Sequence, residues 1–217
     1  MSKVFSIAFL ALAGLATTQL IAAGSPPLVE AVKSGDRAAA LALIAKRVDV
    51  NAPEPDGTTA LHWAGQQNDV DLVTRLIRAG AKVNVKNDFG STPMAEAAVV
   101  ANAALLGALL EAGADIESPN ADGQTALMVV ARTSQIDAAR LLIQRGANVN
   151  AVEKWRGQTA LMWAVAPRQP EMVRELLAHG AQVDARSTVN NWQRQVTAEP
   201  RAIYRPAGGL TPLLYAA

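Results

Sequence analysis

The sequence predicts an all-α solenoid of stacked helix–turn–helix units joined by extended turns. Two phrases recurring in one register predict it. The first reads Gly57-Thr58-Thr59-Ala60-Leu61, Gly90-Ser91-Thr92-Pro93-Met94, Gly123-Gln124-Thr125-Ala126-Leu127, Gly157-Gln158-Thr159-Ala160-Leu161 and Gly209-Leu210-Thr211-Pro212-Leu213, at intervals of 33, 33, 34 and 52 residues. The second reads Gly80-Ala81-Lys82-Val83-Asn84, Gly113-Ala114-Asp115-Ile116-Glu117, Gly146-Ala147-Asn148-Val149-Asn150 and Gly180-Ala181-Gln182-Val183-Asp184. A fixed period of this length marks stacked units, because one helix pair cannot bury its apolar face alone.

Each unit follows from its residues. Thr59, Thr92, Thr125, Thr159 and Thr211 stand where a hydroxyl can cap the orphan backbone donors of a first helix. Pro93 and Pro212 stand at its first position, where proline has no hydrogen bond to lose. A second helix follows with apolar pairs one turn apart: Leu72, Val73, Leu76 and Ile77; Leu105, Leu106, Leu109 and Leu110; Met172, Val173, Leu176 and Leu177. That spacing makes one apolar face. The glycine of the second phrase ends this helix, where a left-handed residue is wanted. The Asn-, Asp- and Pro-rich stretch that follows, such as Val83–Gly90, is an extended turn. The first unit, about residues 25–53, is degenerate: Pro27-Leu28 opens it, Ser34-Gly35-Asp36 joins its helices, and Arg47 replaces the terminal glycine. Full units start near Glu54, Asn87, Asn120 and Glu153, and a short one occupies residues 209–217.

The period, the helix pairs and both phrases resemble the ankyrin repeat, over nearly all of residues 25–217. Extracytoplasmic bacterial members look similar, including a long inserted turn. The resemblance implies a scaffold that binds another protein through its projecting turns and first-helix face, with no chemistry of its own. It also implies that His62 packs and hydrogen-bonds within its repeat. Two departures stand out. An insertion of about 19 residues falls within residues 186–208, and the chain stops inside a first helix, at Ala217. The second departure leaves Leu213 and Leu214 without cover and reads as a fragment of a longer array or a prematurely ended frame. On the alternative reading, this segment is the recognition arm of a longer protein whose remaining part is an enzyme or transporter accessory.

Composition bounds the function. The chain has 217 residues, 50% hydrophobic, 18% charged and 4% aromatic, with a net charge of +1. Near-balanced charge argues against a nucleic-acid partner. The absence of cysteine excludes disulfides, thiolate metal sites and a thiol nucleophile. Residues 1–24 read as a signal peptide: Lys3, an apolar run from Val4 to Ala16, then Ala22-Ala23-Gly24 as a small-residue cleavage site. Val4–Ala23 also approaches the ~20 residues of a membrane anchor, although Thr17, Thr18 and Gln19 interrupt it. Either reading places the remainder outside the cytoplasm, in the periplasm or secreted, with no membrane span after cleavage. Loss of Lys3 from the 20 basic residues leaves 19 against 19 acids.

No catalytic, metal or cofactor-binding residue is expected. His62 and His179 are the two histidines and fall in different units. Asp69 and Asp71 begin a second helix, where acids suit the helix dipole. The phosphate-binding and nucleophile motifs are absent. Aromatic residues are more informative. Phe89 and Trp155, with Arg156, stand on the turns before Gly90 and Gly157, either as partner contacts or leaning on the next turn. Trp192, Arg194, Tyr204 and Arg205 lie in the insertion, whose four arginines against Glu199 give it a local charge of +3. Trp, Tyr and Arg are enriched among binding hot spots, so these seven residues are the candidate contacts with an unidentified protein partner. Trp63 and Trp163 are expected to be buried against neighbouring units, and the chain is expected to be monomeric.

Overall fold

The computed structural model describes residues 25–165, 168–188 and 209–216. The signal-peptide reading of residues 1–24 and the candidates Trp192, Arg194, Tyr204 and Arg205 lie outside the described residues. Among those described there are eleven helices and no strand: α1 (Pro27–Lys33), α2 (Arg37–Ala45), α3 (Ala60–Gln66), α4 (Val70–Arg78), α5 (Pro93–Val100), α6 (Ala103–Glu111), α7 (Ala126–Ala131), α8 (Ile136–Gln144), α9 (Ala160–Val165), α10 (Pro170–Ala178) and α11 (Pro212–Ala216). The odd-numbered helices pack in sequence order as one layer, α1 on α3 through to α9 on α11. The even-numbered helices α2 to α10 form the second layer.

The helix ends follow local chemistry. Thr92 accepts from the Ala95 N–H at 3.2 Å and Thr125 from Met128 at 3.5 Å. Thr159 departs from the expected pattern: its hydroxyl is buried with no hydrogen-bond partner. Second helices are capped by Asp36, Asp69 and Asn102, whose carboxylate or amide oxygen accepts first-turn N–H groups. The glycines that close them are left-handed, with φ of 94°, 86°, 91° and 84° at Gly80, Gly113, Gly146 and Gly180. Arg47, at the matching place, adopts φ 56° despite its side chain. Within the first layer, Gly65 allows close approach of α3 to α5. A Cβ there would lie 3.1 Å from the Pro93 carbonyl oxygen.

The core lies between the layers. Leu76, Leu109, Leu142 and Leu176 repeat at one position of α4, α6, α8 and α10, and all are fully buried. Small residues such as Ala64, Ala97, Ala131 and Ala164 fill the facing layer. Leu177, expected on the core face, is 41% exposed. Among the described residues no second helix stacks beyond α10, so the outer side of its apolar stripe stays open to solvent.

Hydrogen bonds also stitch the units along the extended turns. Asn51 donates to the Gly80 carbonyl and accepts the Lys82 N–H, at 3.0 and 2.8 Å. Asn84 does the same with Gly113 and Asp115, and Asn150 with Gly180 and Gln182. At the remaining joint Glu117 can only accept, taking the Asn148 N–H at 2.7 Å. On the second layer, Arg37 bridges Asp69 and Asp71 of the next unit, and Arg140 reaches Glu175 at 3.0 Å. Asp69 and Asp71 thus serve as cap and ion-pair partners.

Candidate functional site

The turns before each first helix project as fingers beside the first layer. Each is closed by a backbone hydrogen bond, Glu54 N–H to Thr58 C=O, Asn87 to Ser91, Asn120 to Gln124 and Glu153 to Gln158, at 2.8–3.0 Å. The first three hold four residues from the opening Glu or Asn to the glycine; the last, Glu153–Gly157, holds one residue more. Phe89 and Trp155 stand at the tips of their fingers, 65% and 64% exposed. The Trp155 ring lies beside the preceding finger, its Cδ1 3.7 Å from where a Cβ of Gly123 would stand. Lys154 lies over the Trp155 ring, 6.0 Å from its centroid, and Arg156 is exposed beside it.

Between fingers and helices run two shallow clefts. One, of about 170 Å³, is lined by His62, Trp63, Phe89 and Glu96. The other, of about 440 Å³, is lined by Arg132, Glu153, Trp155, Arg156 and Trp163, with Asp122 opposite. Phe89 and Trp155 thus belong to different clefts two fingers apart, while Trp155 and Arg156 share one. Trp63 and Trp163 are half-buried, contrary to the burial expected from the sequence. Each packs against the core and has a cation of the preceding unit over its ring. Lys33 Nζ is 4.9 Å from the Trp63 centroid and the Arg132 guanidinium 5.0 Å from that of Trp163. Arg132 and Glu153 were not singled out in the sequence. Their signal is register: Arg132 follows Thr125 by seven residues, and Lys33 follows Pro26 by seven.

The carboxylates at the finger bases are used differently. Glu54 accepts from Lys33 Nζ at 2.9 Å, Trp63 Nε1 at 2.7 Å and Ser25 Oγ at 2.8 Å. Burial alone would push its carboxyl up, but these hydrogen bonds and the Lys33 charge together hold it below the usual range. Glu153, also buried, accepts instead from the backbone N–H groups of Trp155, Arg156 and Gln158, at 2.6, 2.6 and 3.1 Å.

His62 is a structural residue. It is 1% exposed. Its Nδ1 accepts the Thr59 N–H at 3.1 Å, and its Nε2 lies 3.1 Å from the Ser91 carbonyl oxygen. The neutral ring with its proton on Nε2 satisfies both partners. The second bond reaches the next unit, so the ring joins two repeats rather than serving one. Burial pushes its pKa below the ordinary histidine value, opposed by the Ser91 carbonyl. His179 caps α10 at the surface, with Nδ1 2.9 Å from the Glu175 carbonyl oxygen. Among the described residues no group of three His, Cys, Asp or Glu side chains could hold a metal ion, and no helix is long and apolar enough to cross a membrane.

The base of the insertion is fixed beside the last finger. Ser187 donates its N–H to the Leu210 carbonyl at 3.0 Å, and the Gly209 N–H returns to Ser187 at 2.9 Å. The Thr188 N–H reaches the Arg156 carbonyl at 2.7 Å. Gly157 makes room for this: a Cβ there would lie 2.8 Å from the Thr188 nitrogen, at a φ of +64°.

The family model described as ankyrin repeats, in three copies, matches residues 28–120 and, overlapping them, residues 97–187. The search of curated proteins found no match. With its two-layer helical stack and that match over most of its length, the chain belongs to the ankyrin-repeat family, whose repeats are protein–protein interaction modules on a generally non-catalytic scaffold.

Proposed function

We propose that this chain is an extracytoplasmic, monomeric scaffold that grips a partner protein with its finger tips and first-helix face and performs no chemistry itself. The observation that carries this reading is the exposure of Phe89 and Trp155, 65% and 64%, beside clefts floored by half-buried Trp63 and Trp163. Large aromatic side chains are costly to leave in water and strong contributors once an interface closes over them. Arg156 is exposed beside Trp155, and the insertion residues Trp192, Arg194, Tyr204 and Arg205 are the further candidate contacts by sequence. Together they supply part of the ~1,000 Å² that a specific interface buries. The extracytoplasmic address rests on Lys3, the apolar run and the small residues Ala22-Ala23-Gly24. Fractionation tests it: recovery outside the cytoplasm agrees, with an N-terminus at Gly24 or Ser25 marking cleavage and a retained Met1 marking the anchor, whereas recovery in the cytoplasm refutes it.

The binding test uses capture from an extracytoplasmic extract, followed by affinity measurement on the partner identified. The double variant Phe89→Ala, Trp155→Ala should keep its helical circular dichroism, because both side chains are exposed, and lose at least about tenfold in affinity. A partner that binds the double variant as tightly as the parent places the interface elsewhere.

A further inference from the structure

Comparing the two tryptophan clefts within this one molecule reveals a missing partner. In the second repeat three groups form a closed set. Trp63 lies under the Lys33 ammonium, and Glu54 takes hydrogen bonds from both the indole Nε1–H and Lys33. The finger there does not draw on the Glu54 carboxylate, because Asp56 accepts the Thr58 N–H at 2.9 Å. In the fifth repeat the same three positions hold Arg132, Trp163 and Glu153, and the cation again lies over the indole. The longer finger changes the outcome. Its extra residue adds a backbone N–H, and Glu153 turns its carboxylate to Trp155, Arg156 and Gln158. Trp163 Nε1 is left buried with no acceptor. Among the described residues neither Arg132 nor Arg156 forms an ion pair. Buried donors are rarely left unpaired without a reason.

We infer that the cleft at the fifth repeat receives a carboxylate from the bound partner, an Asp or Glu side chain of an acidic, apolar-flanked peptide segment, at the place that Glu54 fills in the second repeat. The carboxylate accepts from Trp163 Nε1–H and pairs with Arg132, whose exposed side chain lifts to admit it. Arg156 at the rim offsets Asp122, and exposed Trp155 covers the flanking apolar residue. Charge-assisted hydrogen bonds are the strong ones, and Arg132, without an ion pair among the described residues, supplies one here. The inference rests on the proposed protein-binding role and specifies the chemistry of one contact within it.

The test follows the indole N–H resonances of the ¹⁵N-labelled chain, assigned by single Trp→Phe variants. The probe is a blocked heptapeptide with a central Glu flanked by Leu, and its twin carries Gln. The Trp163 resonance should move with the Glu peptide in the millimolar range and respond about tenfold more weakly to the Gln twin. The Trp63 resonance should stay in place, because its N–H is already used. Arg132→Gln, an exposed change, should weaken the Glu peptide about tenfold. Equal responses to both peptides, or an unmoved Trp163 resonance, overturn the inference. If Trp155 moves with both peptides while Trp163 does not, the carboxylate slot falls and the protein-binding face stands. If neither moves, the slot also falls, and the capture experiment with Phe89→Ala, Trp155→Ala decides the wider role by itself.

Discussion

Replacing Leu109 by alanine tests the packing from which the whole scaffold is built. Leu109 is fully buried and continues the column of Leu76, Leu142 and Leu176 through the second layer. The change removes three carbons from the core, about 2.4 kcal/mol at roughly 0.8 per buried methylene. Helices stack on both sides of α6, so the site can collapse only in part. A residual cavity of about 50 Å³ adds roughly 1.2 kcal/mol at ~24 cal/mol per Å³. The expected loss is therefore about 3.6 kcal/mol. The assay is urea unfolding followed by far-ultraviolet circular dichroism and tryptophan fluorescence together, because repeat arrays can unravel piecewise. Leu177→Ala, at a 41% exposed leucine, serves as the comparison and should cost less than about 1 kcal/mol. A Leu109→Ala loss below about 1 kcal/mol, or equal losses for the two variants, refutes the assigned core.

Three further changes probe separate devices. His62→Gln keeps an acceptor for the Thr59 N–H and should cost no more than about 2 kcal/mol. Because the His62 pKa is depressed in the folded chain, the unfolded chain binds the proton first. The parent should lose stability as pH falls from the ordinary histidine value toward the lowered one, and keep it above that window; denaturation midpoints against pH should show this component flattened in His62→Gln, and an unchanged slope contradicts it. Asn84→Ala removes two hydrogen bonds between repeats and should cost about 1–2 kcal/mol, with faster amide exchange at Asp115; no change in that exchange sinks the stitching role. Arg47→Gly relieves a left-handed non-glycine residue and should raise stability by about 0.5–1 kcal/mol in thermal melts, whereas a loss would show that the Arg47 side chain stabilises more than its backbone strains.

Much of this architecture is local and therefore legible in the chain. Helix starts follow from Asp36, Asp69, Thr92 and Asn102, whose caps act within three residues. Helix ends follow from Gly80, Gly113, Gly146 and Gly180, whose left-handed backbone is a property of glycine itself. The 33-residue register then dictates stacking, because each unit exposes an apolar face that only its neighbour can cover. The exposed aromatic tips Phe89 and Trp155 were legible for the same reason: they interrupt turns otherwise made of small and polar residues.

Other features depend on distances between repeats, which no local pattern encodes. Asn84 in a turn looks like any turn asparagine until the next Gly-Ala turn lies within hydrogen-bonding reach. Leu177 carries the same helical spacing as half-buried Leu110 of the preceding pairs' stripe, but its exposure depends on whether a further second helix stacks there. Trp63 and Trp163 occupy one register and were expected to share one environment. The tertiary structure separates them through a single residue in a finger. Asp56 satisfies the short turn and frees Glu54 for the indole, whereas the longer turn draws Glu153 to its own backbone. Which donor a carboxylate serves is decided by competition among groups brought together from three elements, and that competition exists only once the repeats have stacked.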